Sequence, residues 1–231
     1  MALETIYRGY IAIASEFHRP MQIGTPTWRA HPECLERLGF RHANDCERVN
    51  LEAVIMLQEL RREVKADDLV AIAGVIGPRH DGYDAHAAPN AEEAGRYHSR
   101  QARALASSGV DLLYAPTFAS AEELRGVADA MAATGLPYAL APVIDADGLM
   151  LDGAVLADVI QQIDQTITPQ PLHYLGGCVH PSRFRQGFQS VQKRQKAVPR
   201  LIGLKANASS LPPGELDKLD HLEEGTVRFR E

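Results

Sequence analysis

The chain has 231 residues, 45% of them hydrophobic and 23% charged, with a net charge of −6. That length buries a sizeable core in one α/β domain spanning residues 1–231, and this ordinary globular usage excludes a disordered or fibrous chain. Dispersed basic residues under a negative net charge exclude a nucleic-acid footprint, and no apolar run reaches the roughly 18 residues that span a bilayer.

The N-terminus lacks a basic region followed by an apolar one, so no secretory signal is read and a cytoplasmic location is expected. Ile6, Tyr10, Ile13 and Phe17 recur at helical spacing, which predicts an opening helix that Pro20 ends. Residues 21–28 read as a first strand with Pro26 at its terminus, where a missing donor costs no ladder bond. A short helix around Pro32 to Leu38 follows. The spacing Asn44-Asp45-Cys46-Glu47 matches a capping box and opens a long helix to about Val64.

Residues 69–77 form a continuous apolar run, as expected of a parallel strand covered on both faces. After Gly77-Pro78 comes a polar loop carrying His80, Asp81, Tyr83, Asp84 and His86, placed either to cover a site or to lie solvated. Capping spacings at Asn90 and at Ser120 open two more helices, and strands are read at 111–117 and 137–144. A helix from about Gly153 to Asp164 precedes the most informative stretch, residues 171–184. There Leu172 to Leu175 reads as a buried strand, Gly176-Gly177 lets backbone approach closely, and Pro181 opens a helix. Basic residues from Arg183 to Arg200 lie on that amphipathic helix and read as its solvated face. The last strong strand is 201–207.

Strict alternation of strands and helices predicts right-handed crossovers and a parallel sheet. No Gly-x-Gly-x-x-Gly turn follows the first strand and no Gly-Lys-Ser/Thr follows Gly176-Gly177, so the nucleotide reading is weak. The expected architecture is an incomplete (β/α)8 TIM barrel with about six parallel strands where closure takes eight. Chemistry in such folds gathers at the C-terminal strand ends, which is where Cys178 and His180 fall. The plain alternative is that Cys178 packs as a small hydrophobe. His180 either shares the side of Cys178, if strand geometry persists, or starts the helix at Pro181. Three cysteines, Cys34, Cys46 and Cys178, are too few and scattered for a disulfide framework.

Several segments, taken in order, resemble the homocysteine S-methyltransferase family of zinc-dependent barrel enzymes. They are Gly24-Thr25-Pro26-Thr27-Trp28, Asn50, residues 73–78 with Tyr83, residues 107–113, Asp152-Gly153, Gly177-Cys178 with Pro181, and residues 203–207. The resemblance implies methyl transfer from a cationic or methylated donor to the thiolate of homocysteine, a step of methionine biosynthesis, at a zinc ion. It makes Cys178 a metal ligand, with Gly177 in place of the usual asparagine and His180 as a lesser candidate ligand. It implies substrate-binding positions at Thr25, Thr27, Gly77, Tyr83, Thr117 and Asn207.

Three departures accompany it. The family's opening Asp-Gly-Gly strand and closing Gly-Gly-Cys-Cys strand have no counterpart, and Pro116-Thr117 stands where the family often has Glu-Thr. Zinc is therefore expected only if ligands missing from this set are supplied. The runner-up expectation is a degenerate, non-catalytic barrel relative that binds a small ligand or a partner. In either case the strands at 21–27 and 201–207 should flank a gap, covered by a second copy, by the tail 226–230 or by rearranged loops.

Overall fold

Helix α1 (Ala2–Phe17) leads through His18 to Pro20 into strand β1 (Met21–Gly24), and β/α units then follow one another to the last strand. The structure is a computed structural model and describes residues 2–145, 147–193, 200–211, 215 and 219–221. The successive elements are α2 (Pro32–Arg37), α3 (Asp45–Glu63), β2 (Val70–Val75), α4 (Ala91–Ser107), β3 (Leu112–Phe118), α5 (Ala121–Ala132) and β4 (Tyr138–Pro142). They continue with α6 (Leu156–Thr166), β5 (His173–Val179), α7 (Pro181–Lys193) and β6 (Leu201–Ala206).

The six strands pair in parallel in the order of the sequence, β1 to β6, and curl into a half-barrel with helices on the outer face. This is the incomplete (β/α) barrel that the alternation implies. Side chains alternate across the sheet, and the two faces differ in size. Outward, Val70, Ile72, Leu113, Ala115, Tyr138, Leu140, Tyr174 and Leu201 meet Leu57, Leu60, Leu105, Leu124, Met131 and Ile163 of the helices. Each side chain of this size that is withdrawn from water contributes about 1.5–3 kcal/mol. Inward, Ala73, Ala139 and Ala141 lie beside Leu112 and Tyr114. Small residues on the concave side let the strands bend toward one another.

Polar bonds tie the ends of the elements. Asp111 Oδ2 accepts from Ile72 N at 2.7 Å and from Arg61 at 2.6 Å, joining β2, β3 and α3 at the N-terminal strand ends. On the edge of β1 that no other described strand pairs, Tyr7 Oη donates to Gly24 O at 2.6 Å, so α1 itself occupies part of that edge. The tail 226–230, expected as a possible cover, lies outside the described residues.

Three boundaries differ from the sequence reading. Strand β1 ends at Gly24, and Thr25 to Trp28 form the loop that follows it. The side chain of Asn44 makes no cap bond. Asp45, the first helical residue, instead accepts through Oδ2 from His42 N of the preceding turn at 2.8 Å, while Arg48 pairs with its other oxygen at 2.9 Å. Ser120 also makes no side-chain cap: Asp152 Oδ2 accepts from Ala121 N at 2.7 Å, and the capping-box glutamate, Glu123, is engaged elsewhere. At Asn90 the expected cap forms, with the side chain accepting from Glu93 N at 3.0 Å.

Candidate active site at the strand ends

Cys178 is the next-to-last residue of β5 and is half-buried, with φ of 45°, in the left-handed region that side chains rarely adopt. Thr117 near the end of β3 has φ of 66° and is fully buried. These two unusual residues meet, with Thr117 Oγ1 3.2 Å from Cys178 Sγ. Non-glycine residues in this region cost of order 1 kcal/mol or more and persist where the surroundings hold them.

The surroundings do hold them. Asn207, just after β6, donates from Nδ2 to Cys178 O at 2.9 Å and from its backbone N to Val179 O at 3.1 Å. Gly177 admits no side chain, because a Cβ there would stand 2.5 Å from Ala141 O. An asparagine at that position could not be accommodated by this backbone, which gives the glycine a physical reason. Below them Tyr114 points into the concave side, and burial, with the Cys178 sulfur second, pushes its hydroxyl up to about 12.

A loop reaches this point from β2. Arg29 binds the carbonyls of Pro78, at 2.5 Å, and His80, at 2.6 Å, and Arg79 N donates to Glu123 Oε1 at 2.7 Å. So anchored, the loop lays Gly82 over Thr117, where a Cβ would come within 2.8 Å of Thr117 O. Tyr83 follows directly and is half-buried. The loop therefore lies over the site, one of the two readings left open by its sequence.

The remaining candidates form a separate, stitched group. Thr25 Oγ1 and Thr27 Oγ1 lie 2.6 Å apart; Thr25 accepts from Val75 N at 2.9 Å and Thr27 donates to Val75 O at 2.8 Å. Gln101 Nε2 donates to Thr27 O at 2.6 Å. Gly77 lies beneath the ring of Trp28, which passes 1.2 Å from where a Cβ would be. The structure thus brings Thr117, Cys178, Asn207 and the loop with Tyr83 together, and ties Thr25, Thr27 and Gly77 to the strand ends beside them.

His180 has turned to the helix. Its Nδ1 lies 2.7 Å from Ser182 Oγ and accepts from Ser182 N at 3.3 Å, so it caps α7. Its Nδ1 is thus engaged at the start of the helix. The other cysteines have their own partners. Cys46 Sγ donates to Ala30 O at 3.6 Å, and burial, then Glu47, pushes its thiol up to about 11. Cys34 lies 3.8 Å from Tyr97 Oη. Among the described residues no three His, Cys, Asp or Glu side chains converge as a metal site would require. A zinc ion takes three or four protein ligands, so these residues alone do not fit one.

Sequence reasoning missed the buried pair behind the loop. His98 Nε2 and Glu123 Oε1 are 3.1 Å apart, both almost wholly buried. The available signal was His98 and Gln101 standing three apart on the apolar face of α4, where polar residues need a partner.

Fold and site together define an open parallel barrel with a single thiol presented at the strand ends under an anchored loop. The homocysteine S-methyltransferase family profile matches residues 1–229, and the chain belongs to that family. Three solved forms of the homocysteine methyltransferase MmuM from Escherichia coli share the fold. The metallated form matches with TM-score 0.70 and 18% identity over 81% of this chain and 67% of that one. The oxidized form gives 0.72 and 17% over 82% and 66%, and the apo form 0.60 and 18% over 74% and 61%. The chain therefore matches about two thirds of the length of these structures. No curated protein sequence matches it.

Proposed function

We propose that this chain serves methyl transfer to the thiol of homocysteine, with the reaction at the strand ends around Cys178. The observation that carries the reading is the contact between Thr117 Oγ1 and Cys178 Sγ, two residues held in a costly backbone conformation at the mouth of a family barrel. In the reaction homocysteine loses its thiol proton, its sulfur attacks the methyl group of a methylated donor, and the donor leaves with the bond electrons. A thiol of ordinary pKa near 8.5 is mostly protonated at neutral pH, so the site must favour the thiolate.

In this reading Thr117, Asn207, Tyr83, Gly77, Thr25 and Thr27 line or support the substrate region. Asn207 fixes the backbone of Cys178, the loop with Tyr83 excludes water, and the threonine pair keeps the loop after β1 against β2. Cys178 is one thiolate donor, and zinc belongs to the reaction only where further ligands join it. Membership of the family is the second support. The protein would act in the cytoplasm, in methionine biosynthesis.

The test is equilibrium binding of homocysteine to the full chain, with and without added zinc, for the wild type and Cys178→Ser. Saturable binding that weakens at least about tenfold in the variant, roughly 1.4 kcal/mol, agrees with the reading. Homocysteine that fails to bind in either medium, or binds equally well to both proteins, contradicts it.

A further inference from the structure

We propose that two copies of this chain pair through α1. Its residues Leu3, Ile6, Tyr10, Ile13 and Phe17 are 43%, 56%, 56%, 48% and 61% exposed. They are spaced alternately three and four apart, the repeat of a helix that packs along another helix. Single exposed apolar residues are normal on a protein surface, but five in one line are a patch.

The stripe is not needed to hold α1 in place. The adjoining flank of the helix does that, with Ile11 and Ala14 in the core, Tyr7 packed against it, and Arg8 ion-paired with Glu63 of α3. The apolar face of this helix is broad, and only one edge of it is covered. Water alone would favour polar residues along the uncovered edge.

Area and symmetry point to a second copy as the occupant. Large apolar side chains bury roughly 150–250 Å² each, so five at about half exposure leave about 500 Å² on one copy. That is most of the ~800 Å² per partner of a standard interface, and the edge of β1, which no other described strand pairs, follows immediately in the chain. A two-fold interface uses the same patch on both subunits. The stripe is nearly symmetric about Tyr10, with apolar residues at similar distances before and after it, so antiparallel pairing sets Leu3 near Phe17 of the second copy and Ile6 near Ile13. Gly9, beside the axis, has open space where a Cβ would sit, which allows close approach.

The experiment is sedimentation velocity of the full reduced chain at micromolar concentration. A dimer is expected, and Ile6→Glu combined with Ile13→Glu should yield a monomer with unchanged circular dichroism, because both side chains face water in the single copy. Oxidative cross-linking supplies the second readout against the unsubstituted chain: Tyr10→Cys should link two copies and Leu3→Cys should not. A monomeric wild type, a dimer that survives the double substitution, or linking through Leu3→Cys rather than Tyr10→Cys overturns the proposal. A monomer whose residues 3–17 are protected from hydrogen exchange assigns the face to another segment of the same chain, and overturns it too.

Discussion

Replacing Glu123 by alanine tests the account of the anchored loop. The carboxylate is 2% exposed and accepts from Arg79 N at 2.7 Å and from His98 Nε2 at 3.1 Å. With Nε2 as the donor of the His98 contact, the substitution leaves that buried donor and the half-buried Arg79 N without their acceptor. Each such loss costs about 1–3 kcal/mol, which sets the expected destabilisation at about 3 kcal/mol for Glu123→Ala. Glu123→Gln keeps an acceptor for Arg79 N and should lose about 1 kcal/mol. Urea unfolding measures both: with a slope of about 2–3 kcal/mol/M, the alanine variant's midpoint should fall by about 1 M or more. Limited proteolysis should cut the 79–89 loop faster in the alanine variant. A loss below about 0.5 kcal/mol, or proteolysis unchanged, refutes the argument that this pair holds the loop.

Other outcomes follow from single residues. Gly77→Ala should displace the indole of Trp28, the one tryptophan of the chain, and so shift its fluorescence as well as lower stability; unchanged emission contradicts the packing. Thr117→Val removes the hydroxyl beside Cys178 Sγ and should slow alkylation of Cys178 about threefold, while Cys46, its thiol pushed up to about 11, stays unlabelled in the native protein. Burial pushes the His31 imidazole down to about 4. The unfolded chain therefore binds that proton first, and stability should fall as pH drops from about 6.5 toward 4, by at most about 3 kcal/mol. His31→Gln should flatten that slope in urea unfolding measured across the interval.

The six strands are legible in the sequence because a parallel strand covered on both faces is a continuous apolar run, as at 69–77, and the intervening helices carry the 3.6 period. The position of Cys178 at a strand end is legible for the same reason. Less so are the caps: Asn44 has the right spacing but makes no side-chain cap bond, and at Ser120 it is Asp152 that reaches the free donor of Ala121, a distant carboxylate that no local pattern reveals. The left-handed conformations of Thr117 and Cys178 leave no mark in residue type, since that region is favoured by glycine and neither is one. His180 shows the limit of spacing: two residues beyond a strand-end thiol suggests a shared side, but the proline that starts α7 turns the imidazole to cap the helix. The fit of Gly177 against Ala141 O depends on the register of β4 and β5, which appears only when the sheet is assembled.

The most direct measurement is formation of methionine from homocysteine by the full chain, followed by mass spectrometry with a sulfonium and a quaternary ammonium methyl donor in separate reactions, zinc present. The account predicts methionine with at least one donor and its loss in Cys178→Ser. No methionine with either donor from a folded, zinc-supplied chain, or equal formation by Cys178→Ser, would contradict it.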